Sequence, residues 1–387
     1  MNKLLFTVIL TELILGGGGR LLEIGTLTVR MYLFFFAVAC AIPVILSRRR
    51  IPTHVVVFLI ISILSIVLAS IIGILNGADL NLIFKDIKPL LFIFFILPTF
   101  LFFEKPSNIL LIKKIITYSS LIMAILYLIV LGALLLGTIN FRSFYVLVSP
   151  FNEFFFRGTQ GFFTYKGFVY LGIGLIFFVY SKNTSLLKVI SIAVLTTAII
   201  LSGTRGFIVA LLIVFFFYLV IPKFAKGNLF YVVFLILPVV ISLQFLVNTD
   251  LGDKIHSDSI RITQIKEVLE NTNPISFFIG HGFGIGVPVR EIHMEIAFAE
   301  IYHKQGIVGL TLWFLWFLHL TLKYRYLKKF RQLGKPFYLS SIFIFIMSLT
   351  NPYMNNPIGL SILIVSYIII NNLASYETKN ISLLGKL

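Results

Sequence analysis

The chain has 387 residues, of which 59% are hydrophobic and 12% charged, and its mean hydropathy is +1.02. This composition excludes a soluble globular protein and predicts an all-α polytopic membrane protein, because a barrel would need alternating strands and the apolar runs here are continuous. The net charge of +17 comes mainly from basic groups between the apolar runs. These basic residues are expected to determine the membrane topology and to contact membrane lipid, so no nucleic-acid partner is expected.

Twelve apolar runs approach the length of ~17 to 25 residues that a transmembrane helix needs. They lie near 4–18, 29–46, 53–74, 88–103, 115–138, 163–180, 187–202, 206–221, 229–247, 303–322, 337–350 and 357–374. No soluble domain separates them. Residues 1–387 are therefore predicted to form a single transmembrane domain of about twelve helices.

The distribution of charge predicts how these helices are oriented. If the N-terminus is cytoplasmic, the inner segments hold 19 of the 32 basic residues but only Glu104 and Glu377 among the 15 acidic ones. The other 13 basic and 13 acidic residues balance each other on the outer side and at the ends of the spans. By the positive-inside rule, both termini are expected in the cytoplasm.

The longest outer segment, residues 248–302, is the predicted active-site loop, and its helical stretches are predicted to be short and amphipathic. Long outer loops carry function more often than packing. Its glycine run, Gly280 to Gly286, lacks the G-x-G-x-x-G spacing and the preceding strand of a dinucleotide site. The run therefore indicates either a flexible loop or one whose backbone approaches a lipid head group or a sugar.

Arg205 lies in a corner, Ser202 to Gly206, where one apolar run ends and the next begins. A helix start offers free backbone N–H groups and a guanidinium adds a bidentate donor, so this corner suits a phosphate or diphosphate. The alternative is an arginine that extends to the membrane interface. The flanking glycines and the short connection favour binding.

Arg261 provides a second candidate for anion binding. The apolar residues after it have helical spacing, which predicts an amphipathic helix on the membrane surface with Arg261 in its first turn. These apolar residues are Ile262, Ile265, Val268 and Leu269. Asn273-Pro274 would end this helix. The alternative role for Arg261 is a solvated ion pair with Asp258.

His293 is the candidate general base, because imidazole titrates near neutral pH. It is predicted to lie in a helical segment, residues 291–295, that continues into the span at 303. On such a helix Glu300 would lie about 10 Å away and His303 about 15 Å away. Neither distance allows pairing, and no H-E-x-x-H motif is present, so no metal site is predicted. A plain surface histidine is the alternative.

The outer segment 139–162 combines charge with aromatic residues. Arg142, Glu153 and Arg157 stand near six phenylalanines and are candidate glycan-binding residues, with Arg290 of the long loop as a fourth. Aromatic rings can stack on sugars or anchor a loop at the membrane interface, and both interpretations remain open.

Taken in order, these motifs resemble the O-antigen polymerase and ligase superfamily over residues 140 to 310. The motifs are the Ser202–Gly206 corner, the Arg261 helix with Asn273-Pro274 and the glycine run, His293 with Glu300 and the Gly306-Ile307-Val308-Gly309-Leu310 run, and Arg157 with Gly161. The resemblance implies a GT-C-like membrane glycosyltransferase that uses undecaprenyl-diphosphate-linked oligosaccharide as donor and acceptor. Its active site would lie at the periplasmic face of the bacterial inner membrane.

By position in the family's motifs, Arg205 and Arg261 would bind the donor's diphosphate and His293 would be the general base. No cofactor is expected, and a chain-length regulator protein is a further expected partner. Met294 stands where ligases usually have asparagine, and Phe163-Thr164-Tyr165 stands where they have Asn-Pro-Asn. These departures favour a polymerase. The alternatives are a ligase acting on a lipid A core and a polysaccharide transporter or flippase, which would place ionisable residues at mid-membrane.

Overall fold

The computed structural model describes residues 3–24, 27–48, 51–157, 161–181, 185–219 and 254–378. The helices are α1 (Lys3–Leu15), α2 (Val29–Arg48), α3 (Thr53–Leu75), α4 (Leu80–Leu90), α5 (Ile96–Phe103), α6 (Ser107–Leu135), α7 (Phe141–Val148), α8 (Val169–Val179), α9 (Leu186–Leu201), α10 (Arg205–Leu219), α11 (Lys254–Glu270), α12 (Pro274–Ile279), α13 (Ala297–Tyr326), α14 (Arg331–Met347) and α15 (Pro357–Thr378). Two small antiparallel sheets pair β1 (Glu23–Ile24) with β2 (Leu27–Thr28) and β3 (Phe154–Arg157) with β4 (Phe162–Tyr165).

Among the described residues, six helical segments are long and apolar enough to cross a membrane. They are Val29–Ser47, Thr53–Leu75, Leu80–Phe103, Ser107–Leu135, Ala297–Tyr326 and Pro357–Thr378, and shorter apolar helices cover Lys166–Val179, Leu186–Leu201 and Arg205–Phe216. The prediction of an all-α membrane protein is confirmed. The predicted run at 229–247 lies outside the described residues, and the number of twelve spans stays a prediction.

Two helices form the centre of the bundle. Helix α15 is buried almost all round from Ile358 to Leu373, and α8 is buried from Val169 to Phe177. A helix that is apolar on every face is stable either in lipid or among other helices, and the burial of these two places them among other helices. Helix α14 packs against both, while α6 and α9 cover α8, and α5 and α13 cover α15.

The described connections gather at two ends of this bundle. At one end, which we call the basic end, the Tyr376 hydroxyl donates to the Glu104 carbonyl at 3.3 Å, and the Lys335 ammonium lies 3.9 Å from the centre of the Tyr180 ring. The Glu377 carboxylate there accepts hydrogen bonds from the backbone at 328 and 329. These segments are the ones predicted to lie on the inner side.

The opposite end, which we call the site end, joins the segments predicted to lie on the outer side. The Gly18 N–H donates to the Glu153 carboxylate at 2.7 Å, and the Thr164 hydroxyl donates to the Ser202 carbonyl at 2.8 Å. The Ala297 N–H bonds the backbone of the segment after α14. The grouping agrees with the predicted alternation of helices, and the direction in which the bundle crosses the membrane stays a prediction.

Several predicted boundaries are wrong at the site end. Helix α4 begins at Leu80 rather than 88, because the Asp79 carboxylate caps it by accepting from the Asn81 N–H at 2.7 Å. Helix α11 begins at Lys254, so Arg261 lies about two turns into it rather than in its first turn. Asn273 does not end α11 but caps the short α12 through a capping box with Ser276.

The glycine run is fixed to a kink in α13 rather than forming a flexible loop. Gly306 has φ +64° and interrupts the helix, which releases the carbonyls of His303 and Lys304 from their helical partners. The N–H groups of His281 and Gly282 donate to these two carbonyls at 2.8 and 3.0 Å. The run thus supplies the hydrogen bonds that the kink removes.

The same run also lies directly against α3. The Phe283 N–H donates to the Ala69 carbonyl at 2.9 Å, and the backbones of Gly282 and Gly73 touch so closely that neither position has room for a Cβ atom. Gly282 has φ +88° and Gly284 has φ +83°, a region that favours glycine. The glycines are therefore required by close backbone packing.

Replacing Gly282→Ala should destabilise the protein by about 2 kcal/mol or more, because the new Cβ would strain φ and meet the backbone of α3. The loss should appear as a lower apparent Tm of the detergent-solubilised protein. Gly132→Ala is the matched control: nothing lies within 4 Å of a Cβ placed there in α6, so it should leave the Tm unchanged or raise it. Equal Tm values for the two variants would contradict this packing.

Candidate active site

A polar cavity of about 270 Å³ lies at the site end of the bundle. Its charged and titratable lining residues are Arg20, Arg30, Asp86, Glu153, Lys166, His293, Glu300 and Lys304. They come from segments far apart in the chain. Its volume is near the lower end of the range for small-molecule sites.

His293 stands against two buried carboxylates. Its Nδ1 lies 3.6 Å from Glu300 Oε1 and 3.7 Å from Asp86 Oδ1, while the side chain as a whole is 52% exposed. With its proton on Nδ1, the nitrogen that faces the carboxylates, the imidazole has Nε2 as its acceptor. The arrangement can take up a proton at Nε2 and stabilise the imidazolium that results.

The Lys304 ammonium holds these carboxylates in place. Its Nζ donates to Asp86 Oδ1 at 2.7 Å, to Glu300 Oε1 at 2.8 Å and to the carbonyl of Ile292. All three charged side chains are buried, and buried charges are tolerated only with partners of this kind. Because Ile292 precedes the histidine, the same ammonium fixes the backbone from which His293 projects.

The outer oxygens of both carboxylates also have donors. The Gly284 N–H donates to Asp86 Oδ2 at 2.8 Å, and the Asn355 side-chain amide donates to Glu300 Oε2 at 2.6 Å. Each of the four carboxylate oxygens therefore accepts a hydrogen bond. Satisfied buried networks of this type are rigid, so the partners of the imidazole are held in a defined position.

Three of these side chains could in principle ligate a metal, since ligand atoms of Asp86, His293 and Glu300 lie within 4.8 Å of one another. The Lys304 Nζ occupies the space between the two carboxylates, at 2.7 and 2.8 Å. A metal ion bound there would have to displace a buried ammonium that already pairs with both carboxylates. The donor set therefore favours the ammonium as its cation.

A second group of charged side chains lines the same cavity. The Arg30 guanidinium pairs with the Glu12 carboxylate through Nε at 2.8 Å and Nη2 at 3.1 Å. Glu153 is fully buried and accepts from the N–H groups of Gly18 at 2.7 Å and Arg20 at 3.2 Å. The glycine at 18 permits this contact, because a Cβ there would overlap the Glu153 carboxylate.

No family model matches the chain. The chain is 28% identical to the O-antigen polymerase of Shigella flexneri over 390 residues, which cover 98% of this chain and 97% of that protein. The resemblance to O-antigen polymerases is confirmed. It extends well beyond residues 140 to 310, on which the motifs lie.

Met294, which stands where ligases usually have asparagine, lies in an apolar environment. Its side chain is buried with Val268 and Val287 in a small apolar cluster between α11 and the loop segment that follows the glycine run. An asparagine at this position would bury its amide among apolar groups, which is costly without a partner. The local packing is therefore consistent with the polymerase branch.

The two arginines predicted to bind diphosphate do not line the cavity. Arg205 is the first residue of α10, and a Cβ on the adjacent Gly206 would lie 3.4 Å from atoms of Met347 and Thr350 at the end of α14. Arg261 Nε lies 3.2 Å from the carboxylate of Glu295, two residues beyond His293. Both arginines are at the site end, and their roles stay predictions.

Among the described side chains of the glycan-binding candidates, Glu153 alone lines the cavity. Arg290 pairs with the Glu295 carboxylate at 2.7 Å, and Arg142 is exposed on α7. The side chain of Arg157 lies outside the described residues. The neighbouring aromatic rings pack on one another, with contacts among Phe141, Phe144, Phe154, Phe156 and Phe163. Their main structural role is an aromatic cluster around the β3–β4 hairpin.

Two expectations about His293 are wrong. Residues 291–296 are not helical, because tertiary hydrogen bonds engage their backbone: the Ile292 carbonyl accepts from Lys304, and the Glu295 N–H donates to the Gln264 side chain at 3.1 Å. Helix α13 therefore begins at Ala297. The segment before it folds back and brings the imidazole to Glu300 instead of leaving it about 10 Å away.

Sequence reasoning also missed Asp86 and Lys304. Both are ionisable residues within membrane-length helices, and such residues are functional candidates by default because their burial in lipid is costly. Glu300 and Lys304 also have the i, i+4 spacing of a helical ion pair. These two signals could have identified three of the four residues in the cluster.

Replacing Lys304→Gln should lower stability by about 3 kcal/mol, because it leaves two buried carboxylates without their cation. The apparent Tm in detergent should fall markedly, whereas Lys85→Gln, which removes an exposed lysine beside Asp86, should leave it unchanged. Adding Glu300→Gln to the Lys304 variant should recover part of the loss, since one charge is then removed. An unaltered Tm in Lys304→Gln would show that the ammonium does not hold the cluster.

Proposed function

We propose that this protein is a metal-independent, inverting glycosyltransferase that polymerises undecaprenyl-diphosphate-linked oligosaccharide repeat units at the periplasmic face of the bacterial inner membrane. The observation that carries the proposal is an imidazole oriented by buried carboxylates, in a chain similar over its full length to an O-antigen polymerase. A chain-length regulator protein is an expected partner. The ligase and transporter alternatives have no comparable support.

His293 is the proposed general base. A hydroxyl of the acceptor sugar would lose its proton to Nε2 while its oxygen attacks the anomeric carbon of the donor. The bond from that carbon to the diphosphate oxygen would break, and the electron pair would leave with undecaprenyl diphosphate. Direct displacement inverts the anomeric centre. The Asp86 and Glu300 carboxylates would stabilise the imidazolium as it forms.

Charge that develops on the departing diphosphate needs cationic partners. Arg205 and Arg261 are the proposed partners from the family's motifs, and both lie at the site end with the histidine. Because Lys304 already fills the space between the carboxylates, we expect cationic side chains rather than a metal ion to do this electrostatic work.

An apolar cavity of about 250 Å³ next to the polar one supports a lipid-linked substrate. It lies between α3 and α13 and is lined by apolar residues that include Ile61, Leu312 and Trp313. Gln305 and Leu90 line both cavities. A substrate with a polar head and an apolar chain could therefore occupy the two spaces at once.

Replacing His293→Ala should reduce the rate of polymer formation by about 10² to 10⁴, the usual contribution of a general base. The measurement is the ladder of products from a synthetic lipid-diphosphate repeat unit incubated with the purified protein. Glu291→Gln, an exposed residue of the same segment, should remain within about twofold of the unmodified rate. Normal polymer from His293→Ala would refute the base assignment.

Arg261 can be tested against its own ion pair. If it contacts the diphosphate, Arg261→Ala should lower the rate by roughly 10- to 100-fold, the loss of one or two charge-assisted hydrogen bonds. Glu295→Gln breaks the same ion pair but keeps the guanidinium, so it should lower the rate much less. Equal losses in both variants would mean that Arg261 only supports the loop. Arg205→Ala should behave like Arg261→Ala, and normal polymer from it would remove Arg205 from the site.

A further inference from the structure

The cavity that contains His293 has a basic wall that the proposed mechanism does not yet use. It consists of Arg20, Arg30 and Lys166, which line the cavity together with the carboxylate of Glu153. We call these three cations the basic group. With the two carboxylates beside it, Glu12 and Glu153, the basic group carries one more positive than negative charge.

Arg30 is the strongest indication of a ligand. It is only 5% exposed, and its Nε and Nη2 are held by Glu12, but its Nη1 is buried without a hydrogen-bond partner among the residues that the structure describes. A buried donor left unsatisfied is costly because it has lost its hydrogen bonds to water, so such groups need an explanation. Since Arg30 lines the cavity, an oxyanion bound there would provide the missing acceptor.

Arg20 and Lys166 are available for the same oxyanion. Within the described parts of the chain, neither side chain forms a hydrogen bond or an ion pair, although the Lys166 ammonium lies 5.7 Å from the centre of the Phe155 ring. The Glu153 carboxylate, which lines the same cavity, accepts hydrogen bonds from the backbone N–H groups at 18 and 20. It therefore offsets part of their charge without occupying their donors.

We propose that the basic group binds the phosphate nearest the donor sugar, the leaving group of the transfer. This inference rests on the proposed function. The base at His293 and the basic group line one cavity of about 270 Å³, and a displacement needs a proton acceptor at the attacking oxygen and positive charge at the departing one. Arg205 and Arg261, which do not line this cavity, would contact the outer phosphate of the same diphosphate.

The test measures binding of farnesyl diphosphate, a short prenyl diphosphate, to the purified full-length protein in detergent. Arg20→Gln and Lys166→Gln should each raise the Kd about tenfold, the effect of losing one charge-assisted contact, and the double variant should raise it further. Lys85→Gln removes an exposed lysine outside the cavity and should leave the Kd unchanged. Arg30 is left intact because its replacement would leave the partly buried Glu12 carboxylate without its cation.

Two further ligands identify the source of the oxyanion. Farnesol, which lacks the diphosphate, should bind equally to all variants. Glucuronic acid tests whether the basic group recognises the carboxylate of an acidic sugar instead. If the variants weaken only the glucuronic acid complex, or if both variants bind farnesyl diphosphate normally, the proposal is overturned.

The outcome is separable from that of the proposed function. His293→Ala should keep its affinity for farnesyl diphosphate while it loses polymer formation. If the unmodified protein makes no polymer but binds the diphosphate through Arg20 and Lys166, the polymerase assignment fails and the anion site stands. If polymer forms and the two variants bind normally, the basic group alone is refuted.

Discussion

A single buried ammonium, that of Lys304, connects the three segments that form the site. Lys304 of α13 donates to the Asp86 carboxylate of α4, to the Glu300 carboxylate one turn earlier in its own helix, and to the carbonyl of Ile292 in the long loop. Two carboxylates at this distance would repel each other without the cation, because the interior screens charge poorly. The position of His293 depends on this contact, since the imidazole projects from the residue after Ile292 and faces both carboxylates.

The backbone around Lys304 is irregular for a related reason. A straight α13 would keep the carbonyls of His303 and Lys304 within its own hydrogen bonds, whereas the kink at Gly306 frees them to accept from the glycine run. In turn, the run places the Gly284 N–H against Asp86. The backbone of the glycine run thus links α3 to α13. It also links both helices to α4, because the Gly284 N–H is one of the hydrogen-bond donors to the Asp86 carboxylate. Non-helical backbone within a membrane-length segment is tolerated where other parts of the protein satisfy it.

The cavity combines two groups of charged side chains. One group is an imidazole backed by carboxylates that hydrogen bonds hold in place, and the other consists of two arginines and a lysine, of which two side chains have no ionic partner among the described residues. The carboxylates beside the imidazole are therefore preorganised before any substrate arrives. In the proposed transfer one oxygen gains a bond as another departs, and the proton acceptor and the cationic group match these opposite changes in charge. The adjacent apolar cavity, which shares the lining residues Gln305 and Leu90 with the polar one, suits the lipid part of the proposed substrate.

Sequence alone was enough for the features that depend on composition and short motifs. The apolar runs identified a helical membrane protein, and the order of the Arg205, Arg261 and His293 motifs was enough to identify the resemblance that the Shigella flexneri polymerase confirms. The partners of His293 could not be obtained in this way. Asp86 is more than 200 residues from His293 along the chain. Glu300 lies close to His293 only because residues 291–296 do not form the helix that was predicted there. Hydrophobic patterning reports which face of a helix is buried, but long-range hydrogen bonds between polar groups decide which charges meet, and only the folded chain brings these groups together.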